Sequence, residues 1–161
     1  MKLKEIKTLY DAEMYMQTIT HLPRFDAEWL LKTIKHDVRF LEKYHTKLGW
    51  IPIAKCGNLT VAFVDKYAKH LALKHLIENK NCSIKVLNHV SNRFTKAHWL
   101  WISYRSDLPI SFLFQHKKKL DWIVLTVKYN INDEFLTSFT DVIHWNVIAK
   151  NPTFNIMEEN I

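Results

Sequence analysis

Glycine is almost missing from this chain: only Gly49 and Gly57 occur among its 161 residues. Glycine is the residue that most readily takes a positive φ, and loops that bring the backbone against phosphate groups depend on it. So low a content argues against Gly-rich nucleotide-binding loops and against many tight turns that need positive φ. Several familiar cofactor folds are thereby disfavoured, and we expect no cofactor.

The length of the chain favours a single domain. A chain of 161 residues that is 48% hydrophobic can bury one core and is short for two ordinary ones. We expect no internal repeat, and the sequence shows no Gly/Ser/Pro-rich linker and no low-complexity tract. The sequence therefore predicts one domain over residues 1–151, followed by a short C-terminal tail at 152–161.

Two features bear on the compartment. No apolar run approaches the roughly 18–20 uncharged residues that a bilayer-spanning helix needs, and the first residues lack the apolar stretch of a signal peptide. Cys56 and Cys82 have neither a CxxC spacing nor a disulfide-framework pattern, which is typical of free thiols in a reducing compartment. We expect a cytoplasmic protein that does not contact the membrane.

The first half of the chain combines helical and extended patterns. A short strand is predicted at 3–8 and a helix from Asp11, and apolar residues spaced three or four apart predict one long amphipathic helix over 26–49. Residues 51–64 carry two apolar runs around Gly57-Asn58, a pattern that predicts an antiparallel hairpin. A further helix is expected over 65–79.

The second half has a β-type composition. Four segments rich in β-branched and aromatic residues predict strands, at 84–90, 98–104, 110–116 and 120–129. A final helix is expected to open at Asn132, with Phe135 and Phe139 in its apolar stripe. The predicted fold class is α+β: a mainly antiparallel sheet, built from the N-terminal hairpin and a C-terminal meander, covered by three to four helices.

The formal net charge of +7 would suit an acidic partner. Only four of the 23 basic residues are arginine, the side chain best suited to reading guanine edges, so the charge alone does not specify nucleic acid. The abundance of lysine and asparagine also fits an AT-rich genome, and a phage origin is a hypothesis from composition alone. The candidate partner-binding residues lie on the predicted third helix and at a predicted strand turn: Lys66, Lys69, Lys74, Lys117, Lys118 and Lys119.

Histidine and cysteine give weaker signals of chemistry. None of the nine histidines lies in a zinc-ligand spacing, and we expect no metal site. His21 follows the first predicted helix, in a loop from which a general base could reach a substrate, although a polar turn residue is the commoner explanation. Cys56 would be a nucleophile only if a histidine approached it, and a buried, inert thiol is more frequent.

The order helix, helix, hairpin in residues 11–64 resembles the N-terminal half of GNAT-type acyltransferases. His21 followed by Pro52-Ile53-Ala54-Lys55-Cys56 is also similar in arrangement to the toxin-activating lysine acyltransferases, a GNAT-like family. The chain lacks that fold's Arg-Gly-x-Gly pyrophosphate loop. The resemblance implies an acyl carrier or acyl-CoA as donor and His21 as the general base.

These observations leave three hypotheses for the function. The first is a small basic binding or regulatory protein, phage-encoded in one version, that engages nucleic acid or an acidic host protein. The alternative is a GNAT-like acyltransferase with His21 as general base, so enzymatic activity stays open. The third is an interaction subunit or homo-oligomer in which Trp99, Trp101 and Trp122 pack against a partner chain.

Overall fold

The computed structural model describes residues 2–154, and it places them in short helices joined by loops. The α-helices are α1 (Leu9–Thr18), α2 (Arg24–Thr33), α3 (Val38–Leu48), α4 (Trp50–Cys56), α5 (Val61–Lys66), α6 (Leu73–Glu78), α7 (Ile84–Val90), α8 (Lys96–Ser103), α9 (Ile110–Gln115), α10 (Trp122–Lys128) and α11 (Asp133–Phe139). Single turns of 3-10 helix lie at Leu3–Glu5, Ser91–Arg93 and Ile148–Lys150. Residues 2–154 contain no β-strand.

The predicted α+β fold is therefore wrong. Both arms of the predicted hairpin are helices, α4 and α5, and the four segments predicted as C-terminal strands correspond to helices α7 to α10. The predicted strand at 3–8 holds a 3-10 turn, and the long helix over 26–49 is interrupted between α2 and α3. The helix predicted to open at Asn132 is confirmed as α11, with the Asn132 side chain as its N-cap.

Helix α10 shows why a strand was the wrong prediction. Its β-branched residues favour an extended conformation when composition alone is considered. The buried positions, however, are Trp122, Leu125, Thr126 and Tyr129, which lie on one face of a helix at i, i+3, i+4 and i+7, while Ile123 is exposed. A helix of six to eight residues has only about two turns, so the helical period of its buried residues is not evident within a continuous apolar segment.

The helices form an internal repeat of 23 residues, which contradicts the expectation of no repeat. Five N-cap positions mark it, and at four of them the side chain accepts a hydrogen bond from the backbone N–H three residues later, at 2.8–3.3 Å. Each cap lies 23 residues after the previous one, except that the interval from Ser83 to Pro109 is three residues longer. The cap positions are Asp37, Thr60, Ser83, Pro109 and Asn132.

The core repeats with the same period, so equivalent residues of successive repeats fill equivalent buried positions. One column comes from the first helix of each pair and, for its last member, from the 3-10 turn at Ile148–Lys150: Leu30, Ile53, Leu76, Ile102, Leu125 and Ile148. The other comes from the second helix: Phe40, Phe63, Val86, Phe112 and Phe135. All of these side chains are buried, and each contributes about 1.5–3 kcal/mol by leaving water.

A buried asparagine closes two of the repeats in the same way. The Asn79 side-chain amide donates to the carbonyls of Ala54 and Gly57 at 3.0 and 2.8 Å, which lie 25 and 22 residues back along the chain. The Asn151 amide donates to the carbonyls of Thr126 and Tyr129 at 2.8 and 2.9 Å, with identical separations of 25 and 22 residues. Each asparagine thereby satisfies the carbonyls at the end of the helix one repeat earlier.

The chain divides into two compact units, Met1–Asn92 and Arg93–Ile161. In the first unit α4 packs between α2 and α6, and in the second α10 packs on α8 and on the turn at Ile148–Lys150. Whether the units unfold together as the single predicted domain stays a prediction. Of the predicted tail at 152–161, residues 152–154 are helical and the remainder lies outside the described residues.

The structure also bears on two further expectations, that tryptophans contact a partner chain and that no segment spans a membrane. Trp99 and Trp122 are buried in the second unit, so two of the three aromatics expected to meet a partner chain pack internally, while Trp101 is 37% exposed. Between residues 2 and 154 no helix has the length and apolar character to cross a bilayer. The cytoplasmic location and the oligomeric state stay predictions.

The asparagine bridges predict a large difference between two Asn→Ala substitutions in the first unit. Asn79→Ala leaves two buried carbonyls without donors and should lower the free energy of unfolding by about 3 kcal/mol. Asn58→Ala removes an exposed side chain and should change it by less than about 0.5 kcal/mol. Urea denaturation followed by circular dichroism measures both, and equal effects of the two substitutions would contradict the bridging role of Asn79.

Candidate anion-binding site

Two of the six lysines predicted to bind a partner, Lys66 and Lys117, make short contacts with carboxylates. Lys66 Nζ lies 2.9 Å from Glu42 and also stands over the ring of Tyr67. Lys117 Nζ donates to both oxygens of Asp141, at 2.6 and 2.7 Å, and these hydrogen bonds hold the pKa of Asp141 below its usual value. Such pairs reduce the charge that these lysines offer to an incoming anion.

The other predicted lysines do not complete a common site. Lys74 lies 3.9 Å from a carboxylate oxygen of Glu78, and Lys119 stands 5.3 Å above the ring of Trp99. Lys69 and Lys118 are exposed. Three of the six belong to the first unit and three to the second, and their binding of a partner stays a prediction.

His21 and Cys56 are also placed by the structure. His21 is exposed in the loop between α1 and α2. Cys56 is buried at the end of α4, and burial raises the pKa of its thiol, which opposes a nucleophilic role. The helices at 50–66 remove the hairpin that the resemblance to acyltransferases requires, so the role of His21 as a base has no further support.

A different set of lysines comes together in the first unit. Two adjoining cavities of about 300 and 370 Å³ share Lys32 and Asn81 in their walls. Lys35 lines one of them, and Lys55 and Lys80 line the other. We call these four lysines, Lys32, Lys35, Lys55 and Lys80, the lysine ridge.

The repeat explains how the lysine ridge is assembled. Lys32 and Lys55 are 23 residues apart, in the last turns of the adjacent helices α2 and α4. Lys35 lies in the loop after α2, and the equivalent positions of the next two loops are Asn58 and Asn81. Lysines at helix C-termini are stabilised by the negative end of the helix dipole, so this arrangement costs little in the free protein.

The acidic residues nearby leave most of the ridge uncompensated. Glu28 is buried and lies 3.0 Å from Arg24, with its other oxygen 3.9 Å from Lys55. Glu78, in the wall of one cavity, lies within 3.9 Å of Lys74 and 3.3 Å of His75. Among residues 2–154 no carboxylate lies within ion-pair distance of the three remaining members, Lys32, Lys35 and Lys80.

His36 and neutral amides complete the walls. The His36 Nε2 accepts a hydrogen bond from the backbone N–H of Asn58 at 3.0 Å, and its Nδ1 donates to the Ile34 carbonyl at 3.2 Å. His36 thereby ties the loop after α2 to the loop after α4. The site offers amide donors and ammonium groups, which suit carboxylate or phosphate oxygens.

No metal site competes with this interpretation in the part of the chain that the structure describes. Groups of three or more His, Cys, Asp or Glu that could hold an ion do not occur among residues 2–154.

The sequence alone could have shown the lysine ridge, since the 23-residue spacing of Lys32 and Lys55 is a readable signal. It was missed because α2 was predicted as helix and α4 as strand, which placed the two lysines in unrelated elements.

The hydrogen bonds of His36 predict a pH-dependent stability. Burial lowers the pKa of His36, so the unfolded chain binds a proton more readily than the folded chain. The contribution of neutral His36 to the free energy of unfolding is complete above the unfolded pKa of about 6.5 and is lost as the pH falls below it. The control is His36→Leu, because the equivalent buried positions carry Leu59, Cys82, Leu108 and Ile131. From pH 7.5 to 5 the wild type should lose more free energy of unfolding in urea than His36→Leu does; parallel curves would contradict the role.

With this geometry in place, the chain was compared with known proteins. No protein-family model matches it, and neither a curated protein nor a solved structure shows significant similarity to it.

Proposed function

We propose that this protein is a helical-repeat binding protein whose lysine ridge binds an acidic segment of another protein. Stacked helix pairs present equivalent surface positions side by side, and proteins built this way bind extended partners through such rows. The observation that carries the proposal is the cluster of Lys32, Lys35 and Lys80, which lie at two adjoining cavities and have no carboxylate in ion-pair distance among residues 2–154.

The size of the site supports a short acidic segment. Packed helices lie about 8–10 Å apart, so a row across α2, α4 and α6 is about 20 Å long. An extended peptide advances about 3.3 Å per residue, so about six residues would span the row. Two or three carboxylates within six residues can meet the four lysines while the intervening side chains contact Asn58 and Asn81.

The position of Glu78 favours an acidic protein over nucleic acid. Glu78 occupies the position equivalent to Lys32 and Lys55 in the next repeat, so an acid interrupts the row. A continuous phosphate backbone would be repelled there, whereas a peptide can place a neutral or basic residue opposite it. The ridge also contains no arginine, the side chain that grips phosphate with two parallel hydrogen bonds.

The lysine ridge predicts a defined loss of binding in a four-lysine variant. The probe is a fluorescein-labelled hexapeptide containing three glutamates, titrated by fluorescence anisotropy at low and at physiological salt. Replacing Lys32, Lys35, Lys55 and Lys80 with alanine should weaken binding by about tenfold at low salt, since each of three exposed pairs contributes about 0.2–1 kcal/mol. The affinity of the wild type should fall as salt rises.

The matched control removes the same charge elsewhere. Alanine at Lys66, Lys69, Lys118 and Lys119 should leave the affinity within about threefold, because these lysines lie outside the two cavities. Equal losses in the two variants would show that net charge alone drives binding and would contradict the proposal. A single-stranded DNA or RNA probe could instead bind more tightly than the peptide and lose its binding in the four-lysine variant. That result would identify nucleic acid, and not an acidic protein, as the partner of the lysine ridge.

A further inference from the structure

The second unit contains a groove of different chemistry, with a volume of about 860 Å³. Its walls come from the loop after α8, from α9, from the loop after α10 and from the first turn of α11. Among residues 2–154 no lysine or arginine lines it, although the chain carries a net charge of +7, and the one charged side chain that these residues contribute is Glu134. The groove therefore repels the acidic ligand that suits the lysine ridge.

The walls of the groove are rich in neutral groups that can hydrogen-bond. Gln115, Asn130, Ser106 and Ser111 line it, and their side chains make no hydrogen bond to another residue within 2–154. Asn132 uses its side-chain oxygen to cap α11, and its amide hydrogens meet no acceptor among residues 2–154. Asparagine and glutamine amides each offer two donors and an acceptor, the groups that a peptide bond requires.

An exposed aromatic ring at the groove breaks the pattern of the repeat. Phe114 is 64% exposed on α9. The equivalent positions of the other repeats are polar: Glu42, Asp65, Asn88 and Thr137. The ring of Phe114 lies 6.4 Å from that of Phe139, but the polar residues at the equivalent positions show that the repeat does not require a phenyl ring there. An exposed phenyl ring has a cost in water that a polar residue avoids.

Pro109 is a second departure beside the same groove. At the N-cap positions of the other second helices a side chain accepts a hydrogen bond, as Asp37, Thr60 and Ser83 do. Pro109 has no such acceptor and lines the groove instead, next to Ile110. Two surface positions at which the repeat is otherwise polar have therefore become apolar at one place.

We propose that this groove binds an extended polypeptide segment that carries one apolar side chain and, close to it, a lysine or arginine. The apolar side chain packs on Phe114 and Pro109, and the peptide main chain pairs with the amides of Gln115 and Asn130. The basic residue of the ligand lies against Glu134. This ligand is opposite in charge to the one proposed for the lysine ridge, so the two proposals stand independently.

The test is selection of a random twelve-residue peptide library, displayed on phage, against the full chain, followed by affinity measurements on synthetic versions of the enriched peptides. The enriched sequences should share an apolar residue close to a lysine or arginine. Phe114→Thr, which installs the residue found at the equivalent position of α11, should weaken their binding at least about tenfold. Glu134→Gln should weaken it less and reduce its dependence on salt.

Two variants keep the test decisive. Tyr104→Thr removes an aromatic side chain that is 57% exposed in the same unit but outside the groove, and it should leave the affinity within about twofold. If Phe114→Thr has a lower melting temperature than the wild type, a double variant takes its place in the test. That variant combines Gln115→Ala with Asn130→Ala. The proposal is overturned if no common motif is enriched, if Phe114→Thr and Tyr104→Thr bind equally, or if the enriched peptides are acidic and are lost only in the four-lysine ridge variant.

Discussion

Burial of each short helix against the helices of neighbouring repeats is the constraint on which this structure depends. Most of the helices have only six to eight residues, too few to be stable alone in water. Their apolar columns, such as Leu30, Ile53 and Leu76, gain stability only when successive repeats stack. The bridges from Asn79 and Asn151 add polar contacts of the same period, so the helix ends are satisfied as well as the core.

Stacking also determines where binding sites can form. The two core columns keep their apolar character in every repeat, whereas exposed positions are free to change. In the first unit these changes place lysines at neighbouring helix ends, and in the second they place Phe114 and Pro109 beside neutral amides. One framework thus offers two surfaces of different chemistry, one suited to acidic ligands and the other to a peptide with an apolar and a basic residue.

Part of this structure could be predicted from sequence. Asn132 followed by the stripe of Phe135 and Phe139 correctly indicated α11, because a strong N-cap and spacing by four agree. The segments at 84–90 and 120–129 were predicted as strands, since their β-branched residues outweighed a helical period visible over only two turns. The repeat was missed because its columns conserve apolar character rather than identity, and three extra residues before Pro109 shift the register. Without the repeat, Lys32 and Lys55 could not be recognised as neighbours.

A helical repeat runs through segments whose composition is typical of strands. Backbone ¹³Cα chemical shifts, measured by NMR, report helix or strand residue by residue. We expect helical values across 84–90, 98–103, 110–115 and 122–128, interrupted at each cap residue. Values typical of strands in these segments would indicate the antiparallel sheet instead of the helical repeat, and they would contradict both the lysine ridge and the groove.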